Sequence, residues 1–322
     1  GGRFLRQTGF PFLPKDFIET EDGLIFAVVS YHSHDQKVGC FLRYVQDQHG
    51  WHKVDTEQAN RLLERHHPEF LFYSSQFDAA FHAVPVNSII HHHRPEQRLQ
   101  QLLKQPAEDP LQHKLHKLIA ILQQYSVDID AMGLTGSMLI NQQKATSDID
   151  LVIYGREAFH QCRSAVKKAI ADNLLQKLDI TQMQENYQRR DSELDFDTFS
   201  WHEYRKCNKA MIDGSKFDIG MVCLSDELDI EHRHFLKQGI KTIQCRVTDD
   251  SRAFDFPARY RVDNALTPEI ISFTHTYVGQ VEKGEFIEVC GALECDASGT
   301  CRIVVGSTRE ARGEYIKVIE QK

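Results

Sequence analysis

The chain has 322 residues, of which 41% are hydrophobic and 26% charged, a balance typical of globular proteins rather than of disordered or fibrous ones. Its formal net charge of -8 excludes a global electrostatic attraction to nucleic acid, although a local basic groove is compatible with it. No apolar run approaches the length that crosses a bilayer, so we expect no membrane partner.

Breaks in the sequence pattern predict three domains of mixed α/β (α+β) structure. Residues 1–95 are rich in proline, and we expect there an N-terminal α/β accessory domain with strands over Leu24–Tyr31 and Val38–Val45. Residues 96–235 contain a long proline-free block, which predicts a mixed sheet with helices packed on it. Residues 236–322 alternate apolar runs with glycine turns, which indicates a β-rich domain.

Two groups of side chains in the first domain suggest binding. Histidines 91–93 lack the spacing of a His-Glu-x-x-His zinc site, and we expect them on an exposed connection. The aromatic and basic side chains Phe41, Arg43, Tyr44 and Trp51 could contact a nucleic acid. Burial preferences favour a place for these aromatics in the core of a sheet.

The most informative stretch runs from Gly133 to Gly155. A helix predicted over 111–125 and a strand near Met132 lead to Gly136-Ser137, where glycine lets the backbone approach a phosphate and the following amides can form an anion-binding nest. Asp148-Ile149-Asp150 then opens an apolar strand, in which both aspartates point to one face. Paired carboxylates on a buried strand repel each other, and a divalent cation removes that cost.

A Gly-Ser turn, a spacer of ten residues and an Asp-apolar-Asp strand together resemble the signature of the polymerase-beta-like nucleotidyltransferase superfamily. The resemblance implies that Gly136 and Ser137 hold the triphosphate of a nucleotide. It also implies that Asp148 and Asp150, with a third carboxylate from a later strand, bind two divalent metal ions, Mg²⁺ or Mn²⁺. The three carboxylates would then be the catalytic residues.

Asp218 is the preferred third carboxylate, because it follows an Asp213-Gly214 turn and is flanked by apolar residues as a strand would be. Lys216 would share its face and could neutralise phosphate charge, so we assign it to the nucleotide-binding residues. Asp195 and Asp197 are the alternative, since they repeat the Asp-apolar-Asp pattern, but the residues 200–211 that follow are predicted to be helical.

Basic residues outside the motif are further candidates for holding a triphosphate or an acceptor. They occur at 187–190 and 204–206, where intervening acids dilute their charge. The C-terminal domain is locally rich in arginine and could present an acceptor-binding surface, although packing of a small β domain also accounts for its composition. These arginines are Arg259, Arg261, Arg302, Arg309 and Arg312.

The eight cysteines include no Cys-x-x-Cys pair, which predicts reduced thiols in a cytoplasmic protein. Cys290, Cys295 and Cys301 are spaced too irregularly for a zinc site.

These patterns favour an enzyme that moves a nucleoside monophosphate from a nucleoside triphosphate, ATP among them, to a hydroxyl acceptor with release of pyrophosphate. The acceptor could be an RNA end, a protein or a small molecule, because each presents the same nucleophile. Two alternatives stay open. One is a catalytically degenerate nucleotide-binding regulator, and the other is a nucleic-acid-binding protein without turnover.

Overall fold

A computed structural model describes most of the chain, and its described parts form two compact units. The first unit comprises residues 1–176 and 210–227, and the second comprises 177–209 and 228–322. The mixed α+β architecture predicted from the sequence is confirmed. Domain boundaries at residues 95 and 235 stay a prediction. No helix in the described part of the chain combines the length and apolarity that a bilayer crossing requires. The described residues are 5–74, 79–229, 231, 233–308 and 312–320.

The first unit begins with a seven-stranded antiparallel sheet. Helix α1 (Thr56–His66) starts at a capping box built by Asp55 and Gln58. Its buried Leu63 belongs to the same apolar core as Phe26 of the sheet. In spatial order the strands are β5 (Leu71–Ser74), β6 (Ala79–Pro85), β3 (Lys37–Asp47), β2 (Leu24–His34), β1 (Phe17–Thr20) and β7 (Ile89–His93), with β4 (Gly50–Lys53) on β3.

Strand β7 contains the three consecutive histidines, so the expectation of an exposed connection is wrong. His92 lies opposite Ile18 of β1, and its Nε2 is 2.6 Å from Oδ2 of the buried Asp16. His93 lies opposite Phe17, with Nε2 3.0 Å from a carboxylate oxygen of Glu19. Pairing with carboxylates of the sheet explains why these polar side chains lie on a strand.

A smaller four-stranded sheet follows in the same unit. Its strands, in spatial order, are β10 (Lys209–Ile212), β11 (Ser215–Val222), β9 (Ile149–Tyr154) and β8 (Met132–Thr135). Strands β9 and β11 run parallel, and β8 is antiparallel to β9. Three helices accompany the sheet: α2 (Pro95–Leu103), α3 (Pro110–Gln124) and α4 (Arg156–Ala171). The predicted apolar stripe of α3, which includes Leu115, Leu118 and Leu122, is buried, as amphipathic spacing requires.

The second unit combines two helices with a six-stranded sheet that closes on itself. The helices are α5 (Ile180–Arg190) and α6 (Phe196–Lys206). Strand β12 pairs with β13 on one side and β15 on the other, so that five strands form a ring and β17 adds to β15. The strands are β12 (Leu236–Arg252), β13 (Ala258–Val262), β14 (Glu269–Ser272), β15 (Phe286–Cys295), β16 (Cys301–Val305) and β17 (Tyr315–Val318).

Three expectations for this part of the chain are wrong. The Asp-apolar-Asp pattern at residues 195–197 is not a strand, because Asp195 is the N-cap of α6 and accepts the amide of Thr198 at 2.8 Å. The helix also ends at Lys206 rather than continuing to Met211. Cys295 and Cys301 form a disulfide, so the thiols are not all reduced. A cytoplasmic location stays a prediction.

A buried ion-pair network joins the start of the first unit to α2. Arg6 donates two hydrogen bonds to the carboxylate of Asp16, at 2.5 and 2.9 Å, and two to the carboxylate of Glu96, both at 2.8 Å. Asp16 is fully buried and also accepts the amide of Leu13 at 3.0 Å. These bonds, together with His92, satisfy a carboxylate that would otherwise be costly to desolvate.

Asp16→Asn should therefore lower the free energy of unfolding by about 3 kcal/mol, because it leaves the buried Arg6 without part of its compensating charge. Chemical denaturation of the full chain would measure the change. Asp47→Asn is the matched control, since Asp47 pairs with His52 at an exposed edge, and it should leave stability nearly unchanged. Equal stabilities for the two variants would contradict a structural role for the network.

Candidate active site

The two predicted aspartate positions on neighbouring strands lie side by side. Asp218 of β11 is in register with Asp150 of the parallel strand β9, so both side chains leave the same face of the sheet. Asp148 lies two residues before Asp150, immediately ahead of β9. Phe217 and Ile149, one residue earlier on each strand, are fully buried on the opposite face. Alternation along two paired strands thus brings the three carboxylates to one place.

The Gly-Ser turn lies directly against Asp150. Thr135, the last residue of β8, is the cross-strand partner of Asp150, and a short 3₁₀ turn over Gly136–Ile140 follows. Gly136 has φ of +70°, and a Cβ at this position would lie 2.2 Å from Oδ2 of Asp150. Glycine is therefore required both by the backbone conformation and by the approach of the carboxylate. Ser137, next in the turn, is partly exposed.

Lys216 lies between two of the carboxylates. It is two residues before Asp218 on β11, and its side chain is 3% exposed. Its Nζ is 3.8 Å from Oδ2 of Asp148 and 3.8 Å from Oδ2 of Asp218. An ammonium group at this distance from two carboxylates partly offsets their repulsion and fixes their relative position.

Asp150 is the carboxylate of the cluster whose pKa is raised most clearly. Burial of its carboxylate, followed by the negative charges of Asp218 and Asp148, raises the pKa of Asp150 to about 7. A hydrogen bond with the carboxyl group of Asp218 acts in the same direction, whereas the positive charge of Lys15 lowers the pKa. Among the three neighbouring carboxylates, Asp150 is therefore the one that takes up a proton near neutral pH.

The side chains at this place carry oxygen donors, which suit a hard cation such as Mg²⁺ or Mn²⁺ rather than zinc. Within the described ranges, no group of three or more His, Cys, Asp or Glu side chains already surrounds a point that an ion could occupy. What the structure does show is a cradle: Asp150 and Asp218 lie in register on neighbouring strands, beside a glycine at which a Cβ would lie 2.2 Å from Oδ2 of Asp150. The donor set fits a divalent cation in chemistry and charge.

Lys15 is a candidate site residue that the sequence pattern did not reveal. It lies just before β1 with φ of +77°, a strained conformation for a residue with a side chain. Its amide donates to the carbonyl of Val28 at 3.0 Å, and its carbonyl accepts the Thr135 hydroxyl at 2.7 Å. A side chain at Gly220 of β11 would begin 3.8 Å from Cε of Lys15. The N-terminal sheet thus contributes a cation to the cluster.

Tyr44 of β3 belongs to the same region. It is buried with Phe17 and Ile25 against Leu139 of the Gly136–Ile140 turn. Burial, followed by the negative charge of Asp150, raises the pKa of Tyr44. The expectation that this aromatic fills a core is confirmed. Packing of the N-terminal sheet against the turn explains how residues so far apart in sequence surround one site.

Two of the other basic candidates have structural partners in the second unit. Arg205 forms an ion pair with Glu285. Lys206 is buried, donates to Glu203 and to the carbonyl of Thr276 at 3.0 Å each, and has its pKa lowered to about 8 by burial, which the charge of Glu203 partly offsets. These contacts tie α6 to the rest of its unit.

Comparisons with known proteins agree with this geometry. Residues 116–194 match the family described as polymerase beta, nucleotidyltransferase, a range that includes Gly136, Ser137, Asp148 and Asp150 but ends before Asp218. An uncharacterized protein of Methanocaldococcus jannaschii is 35% identical over 94% of this chain and 98% of its own length. No solved structure matches the chain. The chain is thus similar to that archaeal protein over most of the length of both, and it belongs to the polymerase-beta-like nucleotidyltransferase superfamily.

Proposed function

We propose that the protein is a metal-dependent nucleotidyltransferase that moves a nucleoside monophosphate from a nucleoside triphosphate to a hydroxyl acceptor. The observation that carries the proposal is the register of Asp218 with Asp150, next to a glycine turn that touches Asp150. A degenerate, binding-only protein would be favoured by a third carboxylate that lies away from the other two. Since Asp218 lies beside Asp150, we prefer the enzyme.

Asp148, Asp150 and Asp218 would hold Mg²⁺ or Mn²⁺, and we propose two ions. When bound, the ions supply charge neutralisation at the phosphates and ease loss of the acceptor's proton. The raised pKa of Asp150 supports this assignment, because burial and then the charges of Asp218 and Asp148 disfavour its ionised form, and a bound cation would offset both effects. A divalent cation binds the ionised carboxylate, so its binding would compete with protonation of Asp150.

The reaction forms a bond between the acceptor oxygen and the α-phosphorus and breaks the bond from that phosphorus to the bridging oxygen, whose electron pair leaves with pyrophosphate. We assign Gly136 and Ser137 to the terminal phosphates, through backbone amides and the serine hydroxyl. We assign Asp218 to accepting the proton of the acceptor hydroxyl. Positioning and charge neutralisation account for most of the expected rate enhancement.

The two lysines would have distinct roles. Lys216 is buried against Asp148 and Asp218, so we assign it to positioning these carboxylates as well as to neutralising phosphate charge. Lys15 is exposed and near Asp150, which makes it the better candidate for direct contact with the triphosphate.

The decisive experiment is to incubate the protein with each labelled triphosphate, Mg²⁺ or Mn²⁺, and RNA, protein or small-molecule hydroxyl acceptors. We expect labelled acceptor and pyrophosphate in equal amounts. Asp148→Ala should abolish transfer while circular dichroism and thermal melting stay close to wild type. Activity that survives in a pure Asp148→Ala preparation would remove Asp148 from the site, and absence of transfer to every acceptor would count against the enzyme.

Asp150→Asn tests the electrostatics of the cluster without any substrate. Because the folded protein raises the pKa of Asp150 above its unfolded value of about 3.9, this group stabilises the fold at low pH, and its contribution is lost as pH rises through about 7. In the presence of a chelator, the variant should therefore melt at a higher temperature than wild type at pH 8, with little difference near pH 4.

Added Mg²⁺ should raise the melting temperature of wild type at pH 8 more than that of Asp150→Asn, since a ligand stabilises only the fold that binds it. Asp130→Asn removes an exposed carboxylate of the same unit and serves as the control. A metal-free Asp150→Asn protein that is less stable than wild type at pH 8 would contradict the charge repulsion that we describe.

Lys15→Gln should lower kcat/KM for the triphosphate on the order of tenfold to a hundredfold, since a hydrogen bond to a charged group contributes about 1.5 to 3 kcal/mol. It should also raise the pKa of Asp150 further, which the pH dependence of metal-free melting would detect. Lys37→Gln, at the start of β3, is the control and should change neither quantity. Kinetics of Lys15→Gln that match wild type would exclude a contact with the nucleotide.

A further inference from the structure

The closed ring of the second unit has a diagnostic strand order. Around the ring the order is β12, β13, β14, β16, β15 and back to β12, and β14 and β16 are its parallel pair. Numbered from its first strand, this is the 1-2-3-5-4-1 order of the five-stranded Greek-key barrel of the OB fold. In such barrels, the second and third strands and the loops after the first and fourth strands bind oligonucleotides.

The corresponding face of this barrel carries arginines. On β13, Arg259 and Arg261 alternate with the buried Tyr260, so both point away from the barrel interior. Arg302 of β16 is in register with Glu269 of β14, which in turn lies opposite Arg261. This face therefore carries three guanidinium groups, which bind phosphate in a planar, bidentate manner, together with the carboxylate of Glu269, which lies 2.9 Å from Arg259.

Carboxylates of two kinds pair with the arginines at this end of the barrel. Glu269 and Glu294 belong to the barrel strands, and Glu294 lies 3.1 Å from Arg302. Two further acids, Asp229 and Glu231, belong to the segment before β12. Asp229 forms an ion pair with Arg252, at the end of β12. A carboxylate oxygen of Glu231 lies 3.3 Å from Arg302 and 3.8 Å from Arg259. Burial acts to raise the pKa of Glu231, but hydrogen bonds from Arg233 and the charge of Arg302 lower it overall, so the group is held as an anion. The carboxylate of Glu231 thus contacts the same guanidinium groups that would contact the phosphates of a bound nucleic acid.

Two aromatic side chains lie close in sequence or in space to the strands of this face. Phe235 lies 3.8 Å from the guanidinium carbon of Arg302, measured to the ring centroid. Phe256, in the loop between β12 and β13, is 42% exposed and stacks on His275 with ring centroids 4.1 Å apart. Phe235 is partly buried under Arg302, so the exposed Phe256 is the ring that remains accessible for stacking with an unpaired base.

We propose that the outer face of β13, β14 and β16 is a binding site for single-stranded nucleic acid, and that Glu231 is an internal competitor for its arginines. Asp229 acts in the same way on Arg252 of β12, which lies opposite Arg259. The arginine row supplies phosphate contacts, and Phe256 supplies a surface on which a base can stack. Binding at this face does not require the transfer chemistry proposed for the first unit.

Fluorescence anisotropy of the full chain with labelled single strands of about 20 nucleotides, longer than the site of one OB barrel, would test the proposal. RNA and DNA arms of one sequence distinguish the two kinds of strand. The Asp229→Asn, Glu231→Gln double variant should bind at least about fivefold more tightly, and Arg261→Glu should bind about tenfold more weakly with a smaller salt dependence. Phe256→Ala should weaken binding without changing the salt dependence.

Lys241→Glu is the matched charge reversal, because Lys241 lies on the β12–β15 pair across the ring from β14, and it should leave affinity unchanged. Asp148→Ala should also bind normally, which separates this site from the proposed catalysis. The proposal fails if neither wild type nor the double variant binds either strand. It also fails if Arg261→Glu and Lys241→Glu weaken binding equally, since that result would indicate attraction without a defined face.

Discussion

Mutual repulsion among three carboxylates is the constraint on which the first unit depends. Asp148, Asp150 and Asp218 converge because two parallel strands hold a fixed register, and the burial of Asp150 makes the convergence more costly. The structure offsets this cost with two lysines that approach from different directions. Lys216 lies in the sheet itself, and Lys15 comes from the strained turn before β1. Such local strain and charge are typical of functional sites held in place by well-packed surroundings.

The N-terminal sheet is part of that surrounding structure. Tyr44 and its apolar neighbours pack on the Gly136–Ile140 turn, and the carbonyl of Lys15 is bonded to Thr135 immediately before it. The buried Asp16 next to Lys15 is fixed by Arg6 and His92. A chain of contacts therefore leads from a buried ion-pair network to the position of the glycine turn. Positions of this kind are fixed by packing on rigid strands rather than by flexible loops.

Sequence patterns predicted the parts of the site that depend on local chemistry. The Gly-Ser turn and the Asp148 to Asp150 strand follow from short-range alternation, and Asp218 was preferred because a turn and a strand pattern surround it. The same alternation failed at Asp195, where the aspartate caps a helix and the following residues form its first turn. Local pattern does not distinguish a strand from a cap when the apolar run is short.

Other features depend on contacts that a single sequence does not display. Lys15 reaches the site only because the first sheet packs on the second, and no spacing rule connects it with Asp150. The histidines of β7 were expected on a connection because their carboxylate partners are more than 70 residues away in sequence. The disulfide between Cys295 and Cys301 depends on the hairpin that brings these residues opposite each other. Each of these positions is set by a contact with a residue on another strand or segment.

The path of the chain through the small sheet has a consequence for how the protein is made. After α4 the chain leaves the first unit at residue 176, contributes α5 and α6 to the second, and returns at residue 210 to add β10 and β11. During synthesis on the ribosome, β9 therefore stays unpaired with β11 until α5 and α6 have been made, because two strands can pair only after both have been synthesised. Asp218 is the last of the three carboxylates to be synthesised. A nascent chain that ends before β11 therefore lacks the complete acidic cluster, and the repulsion among the three carboxylates arises only when β11 can pair with β9.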